Sequence, residues 1–370
     1  MKTYSHLYEF CLSEENRRYS VKKFQTSKRI REIIKRRNLT NEDLVWMSYK
    51  WIQDYPKCDH VPVRIIDGAK HKVRLIYVPT LEELVVQHAA VNALKPVFYQ
   101  GMYEHSYAST PGRGPHDGKR VIEKWIKNDP KNCKYVLKMD IHHFFDNISI
   151  PRLKAKIAKY LRDKEMIRLL YQILDSVDGR LPLGFYTSPW LANWYLKDFD
   201  HFVKEQLKAT HYVRYMDDMV IFGNNKKILH KIRRAISDYL DVELGLHLKD
   251  DWQVFRFSHG DKEDEGRALD FMGFRFYHNR TVLRRSIMYK SARKAKRIYR
   301  KEKPTIYDAR QMLSYVGWID CTNTHRMYIK WIQPYVNFGK LIYKVSRHDK
   351  YSDINIYHKL VSMYSAGRGA

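Results

Sequence analysis

The amino-acid sequence predicts an α+β fold in which an antiparallel sheet is combined with helical segments at both ends of the chain. Three observations predict it. Apolar β-forming residues flank Tyr215-Met216-Asp217-Asp218 on both sides, which indicates a tight hairpin carrying two adjacent acids. Two further strand patterns lie apart from it, at residues 70–79 and 135–141. Helical patterns rich in Lys and Arg occupy both ends.

Composition limits the class of protein and its partners. The chain has 370 residues, 44% of them hydrophobic and 14% aromatic, which is typical of a folded protein with a core. Its formal charge of +27 favours nucleic acid, an anionic membrane surface or an acidic protein as partner. No apolar run approaches the roughly 20 residues of a membrane span. The N-terminus lacks the apolar core of a signal peptide, and four scattered cysteines indicate reduced thiols, so we expect a cytoplasmic protein.

Residues 1 to about 60 have the pattern of basic helices. Ile30, Ile33 and Ile34 share one helical face, and Thr40 with Asp43 predicts a capping box at the start of the next helix. An RNA-binding arm and a solvated helix face with ordinary packing underneath are both compatible with this pattern.

The strand pattern at residues 70–79 alternates with period two and places Lys72 and Arg74 on one face. Two cations on one face of a strand could grip a triphosphate, whereas a solvated sheet edge is the alternative interpretation. The apolar pattern from Leu81 to about Phe98 predicts a helix of the core.

Residues 106–120 are rich in Gly and Pro and resemble a phosphate loop only superficially, because the glycine spacing is wrong and neither Ser nor Thr follows Lys119. Two interpretations have equal weight. One is a turn that brings Arg113 and Lys119 near template or nucleotide; the other is a plain surface loop.

A third carboxylate follows from the buried strand pattern at residues 135–141, which reaches Asp140 and Ile141 near its end. Phe145 lies five positions after Asp140, where an aromatic ring could press on C2′ of a nucleotide sugar or simply lie in the core. Asp140 and Asp217 are 77 residues apart on separate strand ends, an arrangement that lets distant carboxylates share a pair of Mg²⁺ ions in nucleotidyl transfer.

Three shorter patterns lie between residues 179 and 274. Residues 179–189 predict a turn before a helix, with Ser188 as the N-cap and Pro189 in the first helical position. Lys249 could protonate a leaving pyrophosphate, although a solvated lysine is the simpler interpretation. Residues 269–274 predict an apolar strand and a turn.

The pattern becomes helical and strongly basic from about Val282 onward. Basic helices that carry aromatic residues suit a surface that follows a duplex backbone. A membrane-surface helix is less favoured, because acids and tyrosines are interspersed. The cations are Arg284, Arg285, Lys290, Arg293, Lys294, Lys296, Arg297, Arg300 and Lys301.

From about residue 72 to residue 343, these motifs resemble in order those of prokaryotic reverse transcriptases. The matching segments are Lys72 with Arg74, residues 106–119, Asp140 with Phe145, residues 184–189, Tyr215 to Asp218, residues 244–249, and residues 271–273. Each match is weak alone, and their shared order is what makes the resemblance specific.

The resemblance implies a right-hand polymerase fold and an RNA-directed DNA polymerase that uses two Mg²⁺ ions, with Mn²⁺ as a substitute, and dNTP substrates. It implies a helical extension over residues 1–65, interleaved fingers and palm over residues 66–280, and a helical thumb over residues 281–370. The implied catalytic residues are Asp140, Asp217 and Asp218, as metal ligands, and Lys249 as general acid. The implied nucleotide-binding residues are Lys72, Arg74, Arg113, Ile141, Phe145, Leu183 and Gly184. The implied nucleic-acid contacts are Lys119, Tyr215, Met272, Gly273, Arg284, Arg285, Arg293, Lys294 and Arg297.

Departures from the family pattern narrow the subtype. Most such enzymes carry Gln where this chain has Leu183, and the aliphatic residue resembles defence-associated groups and diversity-generating retroelements. The latter typically read Thr-Ser-Gln where this chain has Thr187-Ser188-Pro189, and the Val-Thr-Gly motif of retron enzymes is not found. Because no maturase or nuclease motif follows the expected thumb, we expect a dedicated structured non-coding RNA as template, cDNA as product and a role in antiphage defence. A diversity-generating enzyme and a non-catalytic RNA-binding scaffold are the alternatives, and a second copy or a protein from the same locus is a further expected partner.

Overall fold

The computed structural model describes residues 4–24, 28–67, 72–177, 179–258 and 266–348. The chain divides into two compact units. One consists of Met1–Gly118 and Asp129–Phe255, and the other of Lys119–Asn128 and Arg256–Ala370.

Four helices begin the first unit: Leu7–Leu12 (α1), Glu14–Phe24 (α2), Lys28–Arg36 (α3) and Asn41–Gln53 (α4). The capping box predicted at α4 is confirmed: the Thr40 hydroxyl accepts a hydrogen bond from the Asp43 N–H, and the Asp43 carboxylate accepts one from the Thr40 N–H. Ile30 is buried, and Ile33 and Ile34 pack against the same apolar cluster, as the helical spacing predicted.

A two-stranded antiparallel sheet follows, formed by Val63–Asp67 (β1) and Lys72–Ile76 (β2). Leu81–Tyr99 (α5) begins with a second capping box, in which Thr80 and Glu83 exchange hydrogen bonds. The helix is buried along most of its length and packs against α1, α2 and α4, as expected for a core helix.

A four-stranded sheet is formed by Tyr135–Asp140 (β3), His211–Tyr215 (β4), Asp218–Gly223 (β5) and Gln253–Arg256 (β6), with strand order β4-β5-β3-β6. Its inner strands β3 and β5 run antiparallel, and Asp140 pairs with Asp218 at the end of the ladder. Pro115–Asn128 (α6) precedes the sheet and passes from the first unit into the second. The elements that follow it are Tyr135–Asp140 (β3), Phe144–Asn147 (α7), Ile150–Tyr160 (α8), Lys164–Leu174 (α9), Ser188–Tyr195 (α10), Lys197–His201 (α11), a π-helical turn at Phe202–Gln206, His211–Tyr215 (β4), Asp218–Gly223 (β5), Lys226–Tyr239 (α12), a second π-helical turn at Leu240–Leu244, and Gln253–Arg256 (β6).

The second unit contains an antiparallel meander followed by helices. Its elements are Leu269–Phe271 (β7), Phe274–Phe276 (β8), Thr281–Leu283 (β9), Arg285–Tyr299 (α13), Ile306–Asp320 (α14), His325–Trp331 (α15), a 3₁₀ turn at Gln333–Tyr335, and Phe338–His348 (α16). The predicted strand and turn at residues 269–274 are confirmed as β7 and the turn before β8. The antiparallel sheets and separate helices confirm the α+β class. Among the described residues, none of the helices has both the length and the hydrophobicity of a membrane span.

Two local predictions need correction. Ser188 is not the N-cap of α10 but its first residue, because its hydroxyl donates a hydrogen bond to the Pro182 carbonyl at 2.6 Å and so supports the preceding turn. Pro189 is accordingly the second helical residue, one position later than predicted. The Gly- and Pro-rich segment is a turn only as far as Gly114, since α6 begins at Pro115 and carries Lys119 on a helix.

The turn before α10 is attached to the end of β2 by a close backbone approach. The Tyr77 N–H donates to the Leu183 carbonyl at 2.7 Å. Gly184 has a φ of +110°, and a Cβ on it would lie 2.2 Å from the Tyr77 carbonyl oxygen. Both the backbone conformation and the available space therefore require glycine here.

Replacing Gly184→Ala should lower the free energy of unfolding by more than about 3 kcal/mol, because backbone strain and steric overlap add. The matched control is Gly112→Ala, where φ is +75° but a Cβ meets nothing within 4 Å. That control should lose only about 1 kcal/mol. Urea denaturation measures both, and equal losses would show that the approach to Tyr77 is unimportant.

Candidate active site

The predicted hairpin is confirmed: Tyr215 pairs with Asp218, so only Met216 and Asp217 form the turn. Met216 has a φ of 57°, in the left-handed region. Asp217 does not share this positive φ, as in a type II′ turn, where glycine usually occupies the first central position. A methionine there costs about 1 kcal/mol, so the surrounding structure has to hold it in place.

A buried arginine holds this turn from behind. One guanidinium nitrogen of Arg214, Nη1, donates to the Met216 carbonyl at 3.0 Å. The Arg214 and Asp200 side chains are each only 1% exposed. Arg214 donates to both Asp200 carboxylate oxygens, from Nε at 2.8 Å and from Nη2 at 2.6 Å. This two-point contact fixes the orientation of the guanidinium, and the carboxylate compensates the guanidinium charge.

Further hydrogen bonds extend this pair into a network. Nη1 of Arg214 also donates to the Asn193 side chain at 3.0 Å. The Tyr212 hydroxyl donates to Asp200 at 2.8 Å, and burial raises the pKa of that hydroxyl well above its usual range. The Tyr103 hydroxyl donates to the Tyr212 carbonyl at 2.7 Å. The hairpin is therefore connected through side chains to α10, α11 and the segment after α5.

Sequence reasoning missed Asp200 and Asn193 and gave Arg214 no role. The available signal was a charged residue at position 214 within an apolar strand, since a buried charge needs a partner. The sequence does not indicate which of the chain's acids is that partner.

The predicted catalytic residues come together at the open end of the sheet. Asp140 and Asp218 are directly paired across β3 and β5, and the Ile141 N–H donates to the Asp217 carbonyl at 3.2 Å. Burial and then the neighbouring Asp140 carboxylate raise the pKa of Asp217. Like charges placed opposite each other destabilise a sheet, so this cluster needs compensating cations.

Two lysines provide part of that compensation. The Lys249 ammonium contacts the Asp140 carboxylate directly, and the Lys249 N–H donates to the Asp140 carbonyl at 2.8 Å. The Lys138 ammonium lies 3.7 Å from an Asp218 carboxylate oxygen. The four residues predicted to be catalytic, Asp140, Asp217, Asp218 and Lys249, therefore share one electrostatic environment.

The donor chemistry of this cluster fits a hard divalent cation. Carboxylate oxygens are the preferred ligands of Mg²⁺, and acids that disfavour one another's charge favour a cation nearby. Among the residues that the structure describes, however, no three His, Cys, Asp or Glu side chains are grouped as a metal site. Asp140 and Asp218 face lysines instead, so the metal sites stay a prediction.

The predicted nucleotide-binding residues have different surroundings. Arg74 is exposed on β2, close enough to Asp217 to favour its charged form, while the Lys72 side chain is outside the described residues. Nη1 of Arg113 donates to the Tyr103 carbonyl at 3.0 Å. Ile141 is fully buried, and its backbone pairs with that of Leu248 in an isolated antiparallel β-bridge.

Phe145 and the Leu183–Gly184 turn complete this set. Phe145 lies on α7, half-buried against the core, with its ring 5.5 Å from that of Phe144 in an edge-on arrangement. Leu183 is half-buried, and Gly184 is exposed beyond the contact with Tyr77. Both the core interpretation and the sugar-contact interpretation of Phe145 are compatible with a half-exposed ring.

The predicted nucleic-acid contacts divide into two groups. Lys119 and Lys294 are buried and form ion pairs, Lys119 with Glu123 at 2.8 Å and Lys294 with Asp308 at 2.7 Å. Because each ammonium group is buried and paired with an acid, we do not expect Lys119 or Lys294 to contact nucleic acid directly. Arg285, Arg293 and Arg297 are exposed, Arg284 pairs with Asp270, and Tyr215 is half-buried beside the acids. Met272 and Gly273 form a tight turn at positive φ.

A family model described as Reverse transcriptase (RNA-dependent DNA polymerase) matches residues 56–276, which is more than half of the chain. The chain belongs to this family. The predicted family is therefore confirmed, and with it the right-hand polymerase fold of its α+β core.

Curated relatives share part of their length with this chain. It is 27% identical over 197 residues to the retron Ec73 reverse transcriptase of Escherichia coli, a match that covers 48% of this chain and 60% of the relative. It is 22% identical over 229 residues to protein YkfC of Escherichia coli (strain K12), covering 50% and 60%. A group II intron-encoded protein, LtrA of Lactococcus lactis subsp. cremoris, is 28% identical over 155 residues, covering 38% and 25%. The chain thus spans about three fifths or less of the relatives it matches.

Among solved structures, the telomerase from Candida tropicalis in complex with a TWJ fragment of telomeric RNA aligns with a TM-score of 0.47 at 12% identity. That alignment covers 87% of this chain and 61% of the telomerase chain.

Replacing Asp200→Asn should destabilise the first unit by about 3–5 kcal/mol, because it leaves the Arg214 charge buried without its counter-charge. Urea denaturation measures the loss. The control is the double variant Asp200→Leu with Arg214→Met, which removes both charges and should recover much of the stability. A single variant that loses less than about 1 kcal/mol would contradict this account.

Proposed function

We propose that this chain is an RNA-directed DNA polymerase that copies a dedicated RNA into cDNA by metal-assisted nucleotidyl transfer. One observation carries the proposal: Asp140, Asp217 and Asp218 lie together at the end of one antiparallel sheet in a chain of the reverse transcriptase family. Together with Lys249 beside Asp140, this provides the acids and the proton donor that nucleotidyl transfer uses.

Each group at the site receives a role in this proposal. Asp140, Asp217 and Asp218 would hold two Mg²⁺ ions, which when bound supply charge stabilisation for the attacking and leaving oxygens. Lys249, whose side-chain nitrogen contacts the Asp140 carboxylate, would act as general acid toward the leaving pyrophosphate. Arg74 would bind the triphosphate, with Lys72 from the same strand, and Arg113 would support the segment around Tyr103.

Base-pair and sugar selection follow from the neighbouring residues. Phe145 would exclude a ribose 2′-hydroxyl, so that dNTPs are preferred. Leu183 and Gly184 would contact the nascent base pair through a backbone that their attachment to Tyr77 keeps rigid. The aliphatic Leu183 offers no side-chain hydrogen bond, so selection there would depend on shape alone.

The template and the cellular role extend the proposal further. A charge of +27 suits a structured RNA that stays bound, and we propose a non-coding RNA of the same locus as template and antiphage defence as the role. Residues 1–65 would be an extension, residues 66–280 the fingers and palm, and residues 281–370 the thumb. A cytoplasmic location and a second copy or a protein of the same locus as partner belong to the same proposal.

The double variant Asp217→Ala with Asp218→Ala should abolish dNTP incorporation on a labelled RNA template with a DNA primer, because it removes two of the three proposed metal ligands. RNA binding should stay within about twofold of the wild type, since binding depends on the basic surface. Chelation of divalent ions should reproduce the loss in the wild type. Asp238→Ala, which removes an exposed acid of α12, is the control. Full incorporation by the double variant would refute the proposed polymerase activity.

Replacing Phe145→Ala should raise kcat/KM for ribonucleotides by more than about tenfold relative to deoxynucleotides, because the ring no longer occupies the space of the 2′-hydroxyl. Single-nucleotide extension with each substrate measures the ratio. Phe145→Tyr keeps the ring and should keep the preference. An unchanged ratio in Phe145→Ala would leave Phe145 as a core aromatic only.

A further inference from the structure

A pocket of about 120 Å³ lies between α13 and α15 in the second unit. It is lined by residues on one face of each helix. They are Met288, Tyr289, Ala292, Arg293 and Lys296 from α13, and Met327 and Trp331 from α15.

The pocket combines a buried floor with exposed aromatic walls. Met288 and Ala292 are buried and form an apolar base. Tyr289 is 58% exposed and Trp331 is 40% exposed, although both are large apolar side chains. Exposed aromatic side chains grouped around a pocket indicate a binding site rather than part of the core.

Cations surround the same aromatic ring. The Lys296 ammonium lies 5.5 Å from the centre of the Trp331 ring, and the Lys330 ammonium lies 5.4 Å from it. Arg293 is exposed at the pocket. The seven lining residues include two cations and no acid. An occupant should therefore present a flat apolar surface together with negative charge.

Size narrows the occupant further. The pocket is smaller than the cavity of roughly 150 Å³ that accepts one benzene ring, so it suits one edge of a planar ring whose face stacks on the exposed aromatic walls. A partner helix would need a row of apolar anchors in a groove longer than these seven lining residues form. A nucleobase flanked by phosphates has both the ring and the charge.

We propose that this pocket binds one unstacked base of a single-stranded nucleic acid. Trp331 and Tyr289 provide stacking surfaces, and Arg293 and Lys296 contact the adjacent phosphates. The inference rests on the proposed function in taking nucleic acid as the partner, but it requires no polymerase activity. It also differs from a surface that follows a duplex backbone, because paired bases cannot enter the pocket.

The test uses the full chain carrying Asp217→Ala and Asp218→Ala, so that binding is read without synthesis. The probe is a short oligothymidylate with one central 2-aminopurine, whose fluorescence is quenched when the base stacks on an aromatic ring. Oligouridylate with the same label forms the second arm, and the two arms identify DNA or RNA as the source of the base. Quenching on binding in at least one arm is the expected result.

Three variants locate the contact. Trp331→Leu should weaken binding on the order of tenfold and abolish the quenching, whereas Trp331→Phe should retain both. Ala292→Met fills the floor and should also abolish quenching, which keeps the test decisive if Trp331→Leu folds poorly. The matched control Tyr343→Leu removes a 64% exposed tyrosine on α16 that is not among the lining residues, and it should bind as the unsubstituted chain does.

Two results would overturn the proposal. One is unchanged quenching and affinity in both Trp331→Leu and Ala292→Met. The other is an equal loss in Tyr343→Leu, which would mean that the helices bind nucleic acid without a specific base pocket. Because the readout is binding by an inactive chain, loss of the pocket would not bear on the polymerase proposal, and loss of polymerase activity would not bear on the pocket.

Discussion

The ion pair between Arg214 and Asp200 is the interaction on which the geometry of the candidate active site depends. Burial by itself would lower the pKa of Arg214, but the Asp200 carboxylate outweighs that effect, so the pKa is raised and the guanidinium stays charged. A buried ion pair contributes little net stability compared with apolar packing. Its contribution here is orientation, because one guanidinium contacts Asp200, Asn193 and the Met216 carbonyl at once. Met216 keeps its left-handed backbone conformation at the tip of the hairpin because Arg214 donates a hydrogen bond to its carbonyl.

The carboxylates in front of the pair oppose stability rather than add to it. Asp140 and Asp218 are paired across the sheet, and Asp217 is half-buried next to Asp140. Lys249 and Lys138 offset part of the repulsion. Because two lysines offset the charge of three carboxylates only in part, the cluster keeps an excess of negative charge that favours binding of divalent cations. The local conflict between charge and packing is concentrated at the residues proposed to be catalytic, as is common at functional sites.

Features that depend on neighbouring residues were predictable from the sequence. The hairpin, the strand that ends at Asp140, the capping box at Thr40 and the order of the family motifs all follow from short patterns. Features that depend on long-range partners were not. Ser188 has the residue type of an N-cap, but the Pro182 carbonyl competes for its hydroxyl. From the sequence alone, Lys119 and Lys294 were predicted to belong to a basic surface. In the structure both are buried, and each forms an ion pair with an acid, one helical turn away for Lys119 and on the next helix for Lys294.

The close contact between the Leu183–Gly184 turn and Tyr77 connects two parts of the proposed active site within the first unit. The exposed Arg74 lies on β2, whose end is held at Tyr77 by the Leu183 carbonyl. The same turn leads into α10, and Asn193 on that helix receives a hydrogen bond from Arg214, which in turn holds Met216. One series of contacts therefore connects β2, the strand proposed to meet an incoming nucleotide, with the turn that carries Asp217. This connection sets the spacing between the backbone of β2 and the turn through one backbone hydrogen bond at Tyr77 and the buried side chains of Asn193 and Arg214.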